Sequence, residues 1–163
     1  MSEKTLRKEV VVAGPVEAVW LAWTTAEGAR TFFAPEAKIE AKPGGAYELY
    51  FDLDEPPGRR GSEGCTVLEV VPKTHLRVSW NFPPHLSIRD AKTTVSIDLF
   101  PAPAEKTRVV LEQTGWQSGP EWDAGFAYFD RAWAMVLRFL QHRFLVGPVD
   151  WKNPPPPLPP ASA

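Results

Sequence analysis

Three histidines, one cysteine and a few acidic residues on strand-like segments are the side chains here that could carry a proton, attack an electrophile or hold a metal. His75, His85 and His142 lie far apart and lack metal-ligand spacing. His75 falls on the polar side of an alternating segment and His142 on the polar arc of a helical one, so both read as solvated. Cys65 opens an apolar run with no base beside it, which reads as a buried thiol and not as a nucleophile. No GxSxG, HExxH or Walker pattern occurs. The PGG at 43–45 has no helix after it, so it is a turn and not a phosphate loop. Asp98 and Glu112 sit on strand-like stretches, with Arg30 and Arg77 placed to approach the rim of a cavity. A carboxylate enclosed by apolar groups could shuttle protons, but outward-facing charges are the plainer reading. No catalytic residue, metal site or cofactor is assigned.

The rings carry more information. Seven tryptophans, nine phenylalanines and three tyrosines make up 12% of the chain. They cluster at 20–33, 47–51, 80–82 and 116–133. On a helical wheel, WDAGFAYFDRAWAMVLRFLQHRFL (122–145) shows one stripe of Trp122, Phe126, Phe129, Trp133, Val136, Leu137, Leu140 and Phe144. A second stripe of Tyr128, Ala132, Met135 and Phe139 lies beside it. More than half the circumference is apolar, whereas a surface helix needs one stripe. Three explanations remain open: a deeply embedded helix, a second stripe that meets another subunit, or a first stripe whose bulky N-terminal half lines a cavity.

Periodicity places the elements that must position these rings. TLRKEVVV (5–12) alternates as a strand, AGP ends it, and Pro15 suits the first turn of a helix over 15–24. A second short helix is expected over about 26–32. From residue 35 the period becomes that of strands: 38–42 and 46–52 around the PGG turn, then 65–71, 74–82, 93–100 and 107–114, with a connector at 83–90. Strands joined by short turns pair antiparallel. The long helix is the one element large enough to cover such a sheet. The expectation is one α+β domain over 1–150 and a proline-rich tail over 151–163, disordered or polyproline II.

Acidic and basic residues are mixed and the net charge is −2, which gives no support for nucleic-acid binding. No apolar run is long enough to span a bilayer, and MSEKTLRKEV lacks a secretory apolar segment. One cysteine excludes an intrachain disulfide, so the cytoplasm is the expected compartment.

The stretch VEAVWLAWTTAEGARTFFAPEAKIEAKPGGAYELYF (16–51), followed at 114–116 by TGW before the long helix, resembles the START/SRPBCC superfamily. The branch it is most similar to is that of the heat-shock chaperone ATPase activator homologues. Phe32–Phe33 departs from the Trp-Phe of many relatives. The resemblance implies a helix-grip fold: two short helices after the first strand, and a curved antiparallel sheet of about seven strands around the long C-terminal helix, with a hydrophobic cavity between. The expected function is binding of a hydrophobic or aromatic small molecule. The alternatives are a chaperone-cofactor role and, third, a cyclase- or hydrolase-type enzyme. Candidate wall residues are Trp20, Phe32, Tyr47 and Leu49, then Trp80 and Phe82, and finally Trp116, Trp122, Phe126 and Trp133. The second stripe, Met135 and Phe139 above all, makes a homodimer an expectation too.

Overall fold

In the computed structural model, which describes residues 4–154, the chain is an α+β fold. The part of the proline-rich segment at 155–163 lies outside the described residues. Strand β1 (Leu6–Val12) is followed by helices α1 (Val16–Thr24) and α2 (Ala26–Ala29). Then come β2 (Glu36–Ile39), β3 (Tyr47–Tyr50), β4 (Val67–Val71), β5 (His75–Trp80), β6 (Thr93–Ala102), β7 (Lys106–Thr114) and the long helix α3 (Pro120–Leu145).

Five strands form a curved antiparallel sheet in the order β1-β7-β6-β5-β4, and β2 and β3 form a hairpin. The hairpin extends the sheet beside β4 through single bridges from Ala46 to Thr66 and from Tyr50 to Gly61. The seven expected strands therefore divide into five and two. The reason is local: the Leu49 amide donates to the Ser62 hydroxyl at 2.8 Å, in place of a main-chain carbonyl, and this interrupts the ladder.

Alternation settles the sheet's inner face. Leu76, Val78 and Trp80 on β5, Val95, Ile97 and Leu99 on β6, and Val109 and Leu111 on β7 are all buried. Against them α3 buries Trp122, Gly125, Phe129, Trp133, Leu137 and Leu140, spaced at three and four residues. Pro120 begins α3 and Glu121 and Asp123 occupy its first turn, where acidic groups suit the helix dipole. Beside β1, the Lys8 ammonium lies 2.7 Å from the Asp130 carboxylate.

Helix α2 is shorter than its apolar spacing suggests. The Phe32 and Phe33 amides both donate to the Ala29 carbonyl, at 3.2 and 2.7 Å, which coils the chain into a turn and swings both rings inward. β2 begins earlier than expected because Glu36 already pairs with Tyr50. The PGG turn needs its glycines: Gly44 has φ of +84°, and a Cβ on Gly45 would lie 2.2 Å from the Glu40 carbonyl.

Candidate functional site

The space between sheet and helix is filled with rings. Trp133 on α3 has its ring centroid 5.0 Å from that of Trp80, 5.9 Å from Phe33 and 6.1 Å from Phe129. A buried glutamine fixes it. The Gln113 Oε1 accepts the Trp133 indole N–H at 2.8 Å, and its Nε2 donates to the Thr93 hydroxyl at 2.8 Å. That hydroxyl donates in turn to the Trp80 carbonyl at 3.3 Å. The Gln113 carbonyl accepts the Trp116 indole N–H at 2.9 Å. One polar residue on the apolar face of β7 thus ties down two indoles.

A second ring cluster centres on Phe82, whose centroid lies 5.0 Å from Trp122, 5.6 Å from Phe129 and 5.8 Å from Trp116. Gly125 makes room for it, since a Cβ there would come within 2.5 Å of the Phe82 ring.

The opening lies along the second stripe of α3. A groove of about 340 Å³ runs between Ala132, Met135, Val136 and Phe139 on one side and Phe33, Pro35 and Phe51 on the other. Trp80, Phe129 and Trp133, all buried, form its floor. Trp151 closes one end: its indole donates to the Arg30 carbonyl at 2.7 Å and its edge meets Phe139, with centroids 5.8 Å apart. Among the described residues no charged side chain lines this lobe.

A second lobe, of about 330 Å³, shares Phe51, Trp80, Tyr128 and Phe129 with the first, so the two adjoin as a trough of two lobes. Its character is different. Asp52, Glu55, Arg59, Arg60, His85 and Arg89 all reach it, together with Phe82 and the buried Asn81. The loop that supplies the arginines is organised by Glu63. This carboxylate accepts the amides of Gly58, Arg60 and Gly61 and lies 3.2 Å from the Arg89 guanidinium. Burial alone would raise the Glu63 pKa, but the amide hydrogen bonds outweigh it and hold the group below the usual carboxylate range. Partial burial raises the Tyr128 phenol above its ordinary value.

The candidate wall residues separate accordingly. Trp80, Phe82 and Trp133 reach the trough. Phe32, Tyr47 and Leu49 do not: they are fully buried, and the Tyr47 hydroxyl donates to the Trp23 carbonyl at 2.7 Å. Trp116 and Trp122 pack edge-on around Phe82, away from the opening. Phe126 is covered by Trp116, 5.0 Å away, and by the Lys4 ammonium 4.3 Å above its ring. Trp20 on α1 is half-buried against the core. Trp122 and Phe126 are thus packed away from the opening while Phe129 and Trp133 form its floor, and lining residues outside the candidate set include Phe33, Pro35, Phe51, Phe129 and Trp151.

The polar candidates lie elsewhere. Asp98 is on the outer face of the sheet, its carboxylate 2.7 Å from His75 Nδ1. Glu69 Oε1 lies 2.8 Å from His75 Nε2 but off the line a hydrogen bond needs. With a carboxylate at each ring nitrogen, the three groups cannot converge on one ion. Arg77 is exposed beside Glu69, Glu112 faces away from the buried side of β7, and Arg30 lies 3.5 Å from Glu36. Burial pushes the Cys65 thiol up to about 11, so it is not a thiolate at neutral pH.

The family described as "Activator of Hsp90 ATPase homolog 1-like protein" matches residues 13–144. The chain belongs to this family. No curated protein matches it in sequence. Among solved structures it is similar to the protein MLL2253 of Mesorhizobium loti, with TM-score 0.68, 22% identity, and coverage of 85% of this chain and 95% of that one. It is also similar to the Aha1 dimer of Colwellia psychrerythraea, with TM-score 0.66, 16% identity, and coverage of 88% and 98%. A third is DynU16 of the dynemicin biosynthetic locus, with TM-score 0.64 and 18% identity; 90% of this chain is covered but 49% of that one, so this chain spans about half its length. At these identities the neighbours carry the helix-grip fold of the START/SRPBCC superfamily and no more. Among the described residues no helix is long and apolar enough to cross a membrane.

Proposed function

We propose that this family member is a binding module for an elongated apolar or aromatic small molecule, held in the trough along the outer stripe of α3. The observation that carries this is the charge-free lobe of about 340 Å³ with a preformed floor of Trp80, Phe129 and Trp133. Its size is within the range of small-molecule sites. Rings locked by the Gln113 network need little ordering when a ligand arrives. Affinity comes from removing apolar area from water, at roughly 25 cal/mol per Å² before the costs of association. A single buried cysteine suits a cytoplasmic setting.

Titration with aromatic and acyl compounds, followed by tryptophan emission, tests the reading, because Trp80, Trp133 and Trp151 all line the lobe. A saturable change is expected, and Met135→Glu abolishes it without unfolding the chain, since Met135 is 43% exposed. Silence from every compound would remove the reading.

The exposed Met135 and Tyr128 favour a second reading, in which the same face receives a protein, either a chaperone or a second copy of this chain. The family description and the dimeric neighbour supply the two partners. Native mass spectrometry separates these cases by reporting subunit count and any retained small molecule together.

A further inference from the structure

The two lobes of the trough differ in polarity along its length, and that asymmetry specifies a ligand. At the Trp151 end none of the described residues lining the trough is charged. At the other end the charged groups are not equivalent. Arg89 is committed: one terminal nitrogen donates to the Phe82 carbonyl, and the other contacts the Gly58 carbonyl and Glu63. Arg59 faces Glu55 at 3.8 Å. Arg60 is different. Its Nε donates to the Glu55 carbonyl at 2.7 Å, which fixes the stem, while its two terminal nitrogens make no ion pair among the described residues.

The backbone fixes where that guanidinium sits. Tyr50 and Gly61 form an antiparallel bridge, and next to it the Phe51 amide donates to the Arg60 carbonyl, which sets Phe51 opposite Arg60. Cross-strand partners share a face. Arg60 therefore stands with Phe51, one of the residues that line both lobes, and is less exposed than Arg59. The Arg60 amide donates to Glu63 at 3.1 Å and its carbonyl accepts the Phe51 amide at 2.7 Å, so the position is held from both sides. Tyr128, a phenol shared by both lobes, and His85 add further donors at this end.

We propose that the trough selects an anionic amphiphile: an acyl or aromatic body lies in the uncharged lobe and its carboxylate meets the Arg60 guanidinium, whose planar fork matches a carboxylate edge. This rests on the small-molecule reading above and names the ligand class for that same site. The Asp52 and Glu55 side chains line the same lobe, and Glu55 faces Arg59 rather than the terminal nitrogens of Arg60.

Calorimetric titration with decanoate, decan-1-ol and decylamine at low salt is the test. Decanoate is expected to bind at least tenfold more tightly than decan-1-ol, and decylamine more weakly than either, with the decanoate advantage shrinking as salt rises. Arg60→Gln removes that advantage and leaves decan-1-ol binding unchanged, which also shows that the variant is folded. Met135→Glu weakens all three. Equal binding of decanoate and decan-1-ol, or an advantage that survives Arg60→Gln, overturns the anionic assignment and leaves the trough as a neutral apolar site. Failure of all three compounds to bind removes the trough reading itself.

Discussion

Replacing Gln113 by leucine tests how the aromatic floor is held. Gln113 is fully buried, and its side chain accepts the Trp133 indole N–H at 2.8 Å and donates to Thr93. Leucine keeps roughly the same volume but orphans a buried donor, a loss of about 1–3 kcal/mol. The Thr93 hydroxyl keeps its own bond to the Trp80 carbonyl, and the leucine is easier to bury, so the net cost is about 1–2 kcal/mol. For a domain of this size that lowers Tm by about 2–8 °C. Trp133→Phe orphans the acceptor instead and removes ring atoms from a core 2% exposed. In the double variant neither orphan remains, so the combined loss is smaller than the sum of the singles by about 1 kcal/mol or more. Urea unfolding of the four proteins measures this coupling. A Gln113→Leu chain as stable as the parent, or singles that add within about 0.3 kcal/mol, would refute the account of the pin.

Three further outcomes are expected. Gly125→Ala gains about 1 kcal/mol of helix propensity but drives a Cβ to 2.5 Å from the fully buried Phe82 ring. Overpacking of about 1–3 kcal/mol makes the variant less stable in urea and narrows the trough that Phe82 lines. Folding lowers the Glu63 pKa, so its stabilisation is present above the ordinary carboxylate range and is lost as pH falls through the lowered folded value. Glu63→Gln accordingly removes part of the acid-induced loss of stability seen in a pH series. Cys65, with its thiol pushed up to about 11 and no exposed surface, reacts with an alkylating reagent at pH 7 no faster than the chain unfolds, as mass spectrometry of timed samples will show.

Much of the fold is legible because its periods are clean. THLRVSWNF alternates without interruption, and every inward residue it predicts is buried; in TRVVLEQT the alternation is broken only at Val110, which is buried as well. The two-residue spacing on β7 holds a signal that the sequence reading did not use: Gln113 shares a face with Val109 and Leu111, and a buried amide there requires partners. Trp80, at the end of β5, and Trp133, in the middle of α3, lie on the two facing apolar surfaces and are found together on the trough floor. The walls were not readable. Phe33 and Pro35 depend on the tight turn after α2, Phe51 on the interrupted β3–β4 ladder, and Trp151 on its bond to Arg30, a residue distant in sequence. Such walls arise from tertiary approach, which no local period encodes. The second stripe of α3 was visible, but which side of the helix stays open depends on where those segments dock.

The sequence contains two methionines, Met1 and Met135, so methyl-13C-methionine labelling places a single internal reporter in the trough wall. A titration with decanoate followed by NMR tests the central claim most directly. The Met135 methyl signal is expected to move and saturate in step with the calorimetric binding curve. Heat of binding with an unmoved Met135 signal would contradict a ligand site in this trough.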